Sequence, residues 1–203
     1  MHQADIKRIT HKLLRLRSLD PELVLFGAEF HGYHLYPPLE GALVTVFERL
    51  HNVSLPADYR SFVQRLGDGG AGPYYGLCAL GMSLYLDMDY PQEMELLVPG
   101  RPFPLTNAYV PENEADRALG YHGYHLQQGM VHLCNYGCGV FVNLVVTGPS
   151  AGTVWTDARS IQGGLYPGDP SYPGRYISFL EWYEHWMDSS LIQLEEQLLY
   201  RSP

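Results

Sequence analysis

The segment from Leu55 to Leu77, LPADYRSFVQRLGDGGAGPYYGL, constrains the fold more than any other part of the chain. Pro56 has the fixed φ that suits a first helical turn, and Tyr59, Phe62, Val63 and Leu66 recur at helical spacing among polar residues. That spacing predicts a helix with one apolar face. Gly67, Gly69, Gly70 and Gly72 then open backbone angles closed to other residues, so the helix has to end and the chain turns before Pro73. An aromatic strand is expected to follow, from about Tyr74 to Leu80. The same glycine run lacks the lysine and Ser/Thr of a nucleotide phosphate loop and leads into a strand, so no helix N-terminus awaits a phosphate.

The remaining elements are legible by period. Ile6, Ile9, Leu13 and Leu16 predict a basic amphipathic helix over about 4–19 that leaves at Pro21. It lacks the bulky aromatic face of a membrane anchor, so its expected seat is the acidic body of its own chain. Residues 23–39, rich in aromatics and histidine, read as strand and loop. Leu43, Val46, Phe47 and Leu50 then give a second helical stripe. Residues 82–97 are mixed, with a short helix expected near Pro91, and prolines at 99, 102, 104 and 111 exclude a continuous helix across 99–111. Glu112 to Leu119 fits one or two helical turns. Three strands follow, Met130–Tyr136, Val140–Thr147 and Gly152–Thr156, joined as two hairpins, with at least one face of the middle strand buried. A glycine- and proline-rich loop is expected over 166–176. Ser178 with Glu181 has the spacing of a capping box and opens a long final helix whose stripe runs through Phe179, Trp182, Tyr183, Trp186, Met187, Leu191, Leu194 and Leu198.

With no repeat or flexible linker, the 203 residues read as a single α+β domain. Its largely antiparallel sheet is expected to be covered by helices on one face. Three cysteines, Cys78, Cys134 and Cys138, are too few for a disulfide framework and fit a reducing compartment. Residues 1–20 contain no signal-peptide core and no segment has the uncharged length to cross a bilayer, so the expected location is cytoplasmic.

Charge is unevenly spread. Residues 1–19 hold five basic residues against Asp5, whereas the rest carries 8 basic against 21 acidic residues, and the whole chain sums to -9. Nucleic acid and membrane are poor partners for such a body. A basic protein partner suits it, and association would be hastened by a field that salt weakens.

Chemistry has little support in the motifs. There is no nucleophile elbow, no zinc helix and no distinctive carboxylate pair, so the chain reads as a non-enzyme without a cofactor. His31 and His34, His122 and His125, and His132, Cys134 and Cys138 are the candidate metal donors. None matches a zinc spacing, although strand alternation would put His132 and Cys134 on one face, and no metal is expected. Cys138, between two glycines, has no assignable base and reads as a turn residue. The three tryptophans, Trp155, Trp182 and Trp186, read as core before ligand pocket, each needing an indole partner.

Several features in order resemble the SUKH superfamily, the domain of the Smi/Knr-type cell-wall regulators and of many bacterial immunity proteins. They are Leu55-Pro56 with Tyr59 and Phe62, Gly69-Gly70 before Gly72-Pro73, Tyr75-Gly76-Leu77, Gly137-Cys138-Gly139, Leu144-Val145-Val146, Gly148, Gly152 to Trp155, and Phe179 with Trp182. The resemblance covers about 43–187 and implies protein binding rather than catalysis. The implied role is an immunity protein of a polymorphic toxin system that neutralises a cognate basic toxin, such as a nuclease, by covering its active surface. A non-catalytic regulatory scaffold is the alternative. Candidate partner-binding residues are Asp68, Tyr74, Tyr75, Asp87, Asp89, Glu112, Glu114 and Asp116, the tyrosines as rigid anchors and the carboxylates for steering. The basic N-terminal helix, the 99–129 region and the residues after Met187 exceed a compact member, and a homodimer contact is one use for them.

Overall fold

The computed structural model describes residues 3–85, 96–111 and 124–201, and the helical turns expected near Pro91 and over 112–119 lie outside them. Helix α1, Gln3–Leu19, buries Ile9, Leu13 and Leu16. Its polar side lies against the last helix, α5, Phe179–Arg201. Arg8 reaches Glu184 at 2.5 Å, Lys12 bridges Glu184 at 3.1 Å and Asp188 at 2.7 Å, and Arg15 meets Glu195 at 2.5 Å. The basic helix therefore packs on its own acidic body, as its composition predicts. No helix among the described residues is long and apolar enough to cross a membrane.

Residues 23–39 contain the short helix α2, Ala28–His31, and a single bridge from Leu35 to Gly70 instead of a strand. Helix α3, Gly41–Leu50, departs further from expectation. Val44 is its buried residue, while Leu43, Val46 and Leu50 of the predicted stripe are 54%, 59% and 74% exposed. Its rotation is set by Glu48, whose carboxylate accepts from the Leu55 N–H at 3.0 Å and from Arg60 Nε at 3.2 Å. That tether turns the Val44 and Glu48 side inward, since residues four apart share a helix face.

Helix α4, Ala57–Arg65, buries Tyr59, Phe62 and Val63 as its period predicts. Tyr59 and Phe62 stand edge-on to Phe179 at 4.9 and 5.0 Å, a favoured aromatic geometry that joins α4 to α5. The glycine stop follows. At Gly70, φ is +95° and an added Cβ would stand 2.4 Å from the His34 carbonyl oxygen, so only glycine fits. Gly70 exchanges backbone hydrogen bonds with Leu77 at 2.8 and 2.7 Å. Residues 74–80 do not form the expected strand, because positive φ at Tyr74 and Gly76 breaks the pleat. They run instead along the outer edge of the sheet, where the Cys78 N–H donates to the Leu133 carbonyl at 2.7 Å.

The sheet is an antiparallel meander of five strands in sequence order: β1 Met130–Gly137, β2 Val140–Val145, β3 Val154–Asp157, β4 Leu165–Asp169 and β5 Tyr172–Pro173. The first three match expectation. β4 and β5 replace the predicted loop: its prolines and glycines obscured the alternation, and pairing with β3 (Thr156 opposite Tyr166) supplied the order. Cys138 and Gly139 join β1 to β2 with φ of +54° and +72°, the paired positive angles of a tight hairpin turn.

Every residue of β2 is buried, so both sheet faces are covered. Val131, Leu133, Val142, Leu144 and Val154 share the large core with the helices. Met130, Val145, Trp155 and Leu165 form a second cluster on the other face with Phe103. The helices thus lie on one face of the α+β sheet, and the proline-broken segment containing Phe103 covers the other. Ser178 and Glu181 complete their capping box: the Ser178 N–H donates to Glu181 Oε2 at 2.8 Å and the Glu181 N–H to Ser178 Oγ at 3.3 Å. Leu198, placed in the final helix's apolar stripe, is 47% exposed.

Candidate partner-binding site

Two chain segments far apart in sequence build an exposed aromatic patch beside a cleft. The first leaves α1 at Asp20, whose buried carboxylate accepts from the Val24 N–H at 2.7 Å, the Leu25 N–H at 3.1 Å and the Tyr33 hydroxyl at 2.7 Å. These bonds fasten residues 20–33 as a loop around α2. Phe26 and Phe30 project from it, 65% and 60% exposed. The second segment is the turn at Tyr74 and Tyr75. Tyr75, 42% exposed, meets Phe26 and Phe30 edge-on at 5.4 and 5.1 Å. Three large apolar rings thus face solvent on tightly tied backbone.

Tyr74 points the other way. Its hydroxyl donates to Asp169 Oδ1 at 2.5 Å, and burial beside that carboxylate raises the tyrosine's pKa, so the hydroxyl keeps its proton. Asp169, at the end of β4 and 3% exposed, also accepts from the Ser171 N–H at 2.9 Å and from the indole of Trp182 at 2.7 Å. The buried Trp155 indole donates to Thr153 Oγ1 at 3.0 Å. Trp155 and Trp182 are therefore core residues with the partners their chemistry requires.

Trp186 has another role. It helps line a cleft of about 220 Å³ between α2, the Tyr74 turn, the β4–β5 turn and α5. His31 stands edge-on to Trp186 at 6.0 Å, and Tyr172 lies against His185 at 4.2 Å. Burial holds the His31 pKa below the ordinary histidine value, and its Nδ1 accepts from the Tyr33 N–H at 3.0 Å. Asp169 belongs to the buried part of the lining.

The predicted site residues divide. Tyr75 is on the patch, whereas Tyr74 turns away from it to line the cleft beside Asp169. Asp68 is engaged in structure: half-buried, it accepts from the Leu80 N–H at 2.8 Å, and burial raises its pKa. Asp87, Asp89, Glu112, Glu114 and Asp116 lie outside the described residues. Sequence reasoning missed Phe26, Phe30, Asp169, Tyr172 and His185. The aromatic, histidine-rich run at 23–39 was the available signal for the phenylalanines, but nothing local links them to Tyr75.

The metal candidates are dispersed. In β1, Leu133 and Cys134 both pack into the helix-side core while His132 pairs with Asn143 and Cys134 with Val142, which is a β-bulge. His132 consequently stacks on Phe141 on the opposite face from Cys134, overturning the shared face expected from simple alternation. His132 Nδ1 hydrogen-bonds Asn143. His125 is exposed in a 3-10 turn, and His122 lies outside the described residues. Burial pushes the Cys78 thiol up to about 12 and Cys134 well above its usual value, which removes thiolate character. Among the described residues no three His, Cys, Asp or Glu side chains gather as a metal site would require.

Comparison with protein-family models, curated proteins and solved structures finds no match for this chain.

Proposed function

We propose that this protein is a non-catalytic binding protein that neutralises a cognate toxin, a basic nuclease in the reading its SUKH resemblance implies. The observation that carries the reading is the exposed cluster of Phe26, Phe30 and Tyr75 on constrained backbone. Rigid aromatic anchors of this kind contribute most to protein interfaces, because they bury large area at small entropic cost. The chain's net charge of -9 complements a nucleic-acid-binding surface and would speed encounter with it. Part of the acidity of α5 is matched internally by α1, so the steering field comes from the remaining carboxylates.

The test looks for a toxin gene beside the one for this protein and pairs pull-down with toxin rescue on its product; absence of any toxin locus favours the regulatory scaffold. Binding and loss of toxin activity are expected, and Phe26→Ser with Phe30→Ser should weaken both at least tenfold while leaving the fold intact. A neighbouring toxin that is neither bound nor inhibited overturns the reading and favours the regulatory scaffold.

A further inference from the structure

Asp169 is a buried carboxylate at the end of β4. Among the described residues its donors are the Tyr74 hydroxyl, the Trp182 indole and the Ser171 N–H, all formally neutral. Among the described residues no ion pair forms on it. A carboxylate offers about four lone-pair positions, so one remains for a further donor. An uncompensated charge taken out of water is costly, and a cation brought beside it offsets that cost.

The surroundings suit such a cation. Asp169 lines the same cleft as Tyr74, Tyr172 and Trp186, and aromatic faces attract cations. Its volume of about 220 Å³ lies below the roughly 300 Å³ at which drug-sized ligand sites begin, which favours a single side chain over a nucleotide or cofactor. Phe26 belongs both to the cleft lining and to the aromatic patch, so a partner seated on the patch has the cleft within its footprint.

From this geometry we infer that the cleft receives an arginine side chain of the partner protein, its guanidinium directed to Asp169 and flanked by Trp186 and Tyr172. Arginine fits better than lysine because its planar, weakly hydrated head group stacks on aromatic rings and loses less on leaving water. Burial keeps His31 in the uncharged form favoured near neutral pH, so its imidazole does not oppose an incoming cation. The inference rests on the proposed protein-binding role and names the chemistry that the site selects.

The experiment titrates the unmodified protein calorimetrically with acetyl-Gly-Arg-Gly-amide and with its citrulline counterpart, a neutral analogue of nearly the same shape. Saturation by the arginine peptide is expected in the range of about 1–10 mM, reasonable for one side chain, with citrulline at least tenfold weaker. Asp169→Asn and Trp186→Ala should each weaken the arginine peptide about tenfold or more. Because both residues also support the fold, Ser189→Arg provides an independent variant: Ser189 is an exposed lining residue, and a cation there should lower affinity without unfolding the protein. Equal binding of the two peptides, or no saturation by the arginine peptide, overturns the inference. Agmatine binding ten times tighter than the capped peptide would also overturn it, in favour of a free amine ligand. Toxin capture that persists while the arginine peptide fails to bind removes this inference alone and leaves the proposed function standing.

Discussion

The backbone of Gly27 lies so close to Tyr74 that a Cβ on Gly27 would stand 1.5 Å from the Tyr74 carbonyl oxygen. This contact joins the loop bearing Phe26 and Phe30 to the turn bearing Tyr75. Gly27 also has φ of +80°, a value that disfavours a side chain even in open space. Gly27→Ala should therefore destabilise the protein by about 2–4 kcal/mol, combining left-handed strain with a steric clash. A fall in Tm of roughly 5–15 °C is expected for a domain of this size, with the patch separating as the loop moves. An unchanged Tm would mean that the two segments are not rigidly joined.

Tyr74→Phe removes one of three hydrogen bonds to the buried Asp169 carboxylate while preserving the ring. A lost donor to a charged acceptor costs about 1.5–3 kcal/mol. Urea unfolding should show a lower midpoint with an unchanged slope, since the surface exposed on unfolding stays the same.

Phe103→Ala tests whether the segment over 99–111 is part of the fold or an ornament upon it. Phe103 is fully buried and meets Trp155 edge-on at 4.9 Å. Its truncation should cost about 3–5 kcal/mol. A loss below 1 kcal/mol would show that the second sheet face does not need this cover.

Glu184→Gln addresses the join between α1 and α5. Hydrogen bonding to Arg8, assisted by Lys12, holds the Glu184 carboxyl below the usual glutamate value. A carboxyl lowered in the folded state adds stability that is fully present above its unfolded pKa, about 4.3, and lost as pH falls through the lower folded value. The wild type should exceed the variant by about 1 kcal/mol or less at pH 7, because these charges are partly solvated. That margin should shrink at pH 3 and in high salt, as compared by urea unfolding under each condition. A margin constant with pH would assign the effect to packing.

Local order was largely readable. Tyr59, Phe62 and Val63 declared α4 and its buried side, Ser178 with Glu181 marked the start of α5, and the first three strands stood near their predicted limits. Each of these depends on residues within a few positions of one another. Errors arose where a distant partner settled the outcome. Glu48, tied to Arg60, turned Leu43, Val46 and Leu50 of the α3 stripe outward while Phe47 still packs against the core; the pairing of β4 with β3 made strands from a proline-rich stretch; and the bulge opposite Val142 separated His132 from Cys134.

The candidate site shows the same division. Tyr75 follows the glycine stop and stands at the surface, whereas Tyr74 beside it turns inward to Asp169, a difference that the local sequence does not carry. Phe26, Phe30, Asp169 and Trp186 join them only in the folded chain. From the sequence alone came the α+β class, the helix that must end at Gly67, the antiparallel hairpins and the acidic balance, all governed by short-range periodicity, turn chemistry and composition. Tertiary structure decided which apolar faces are buried and which residues meet around Asp169, because burial and charge compensation depend on neighbours far apart in the chain, 95 residues between Tyr74 and Asp169 and 180 between Arg15 and Glu195.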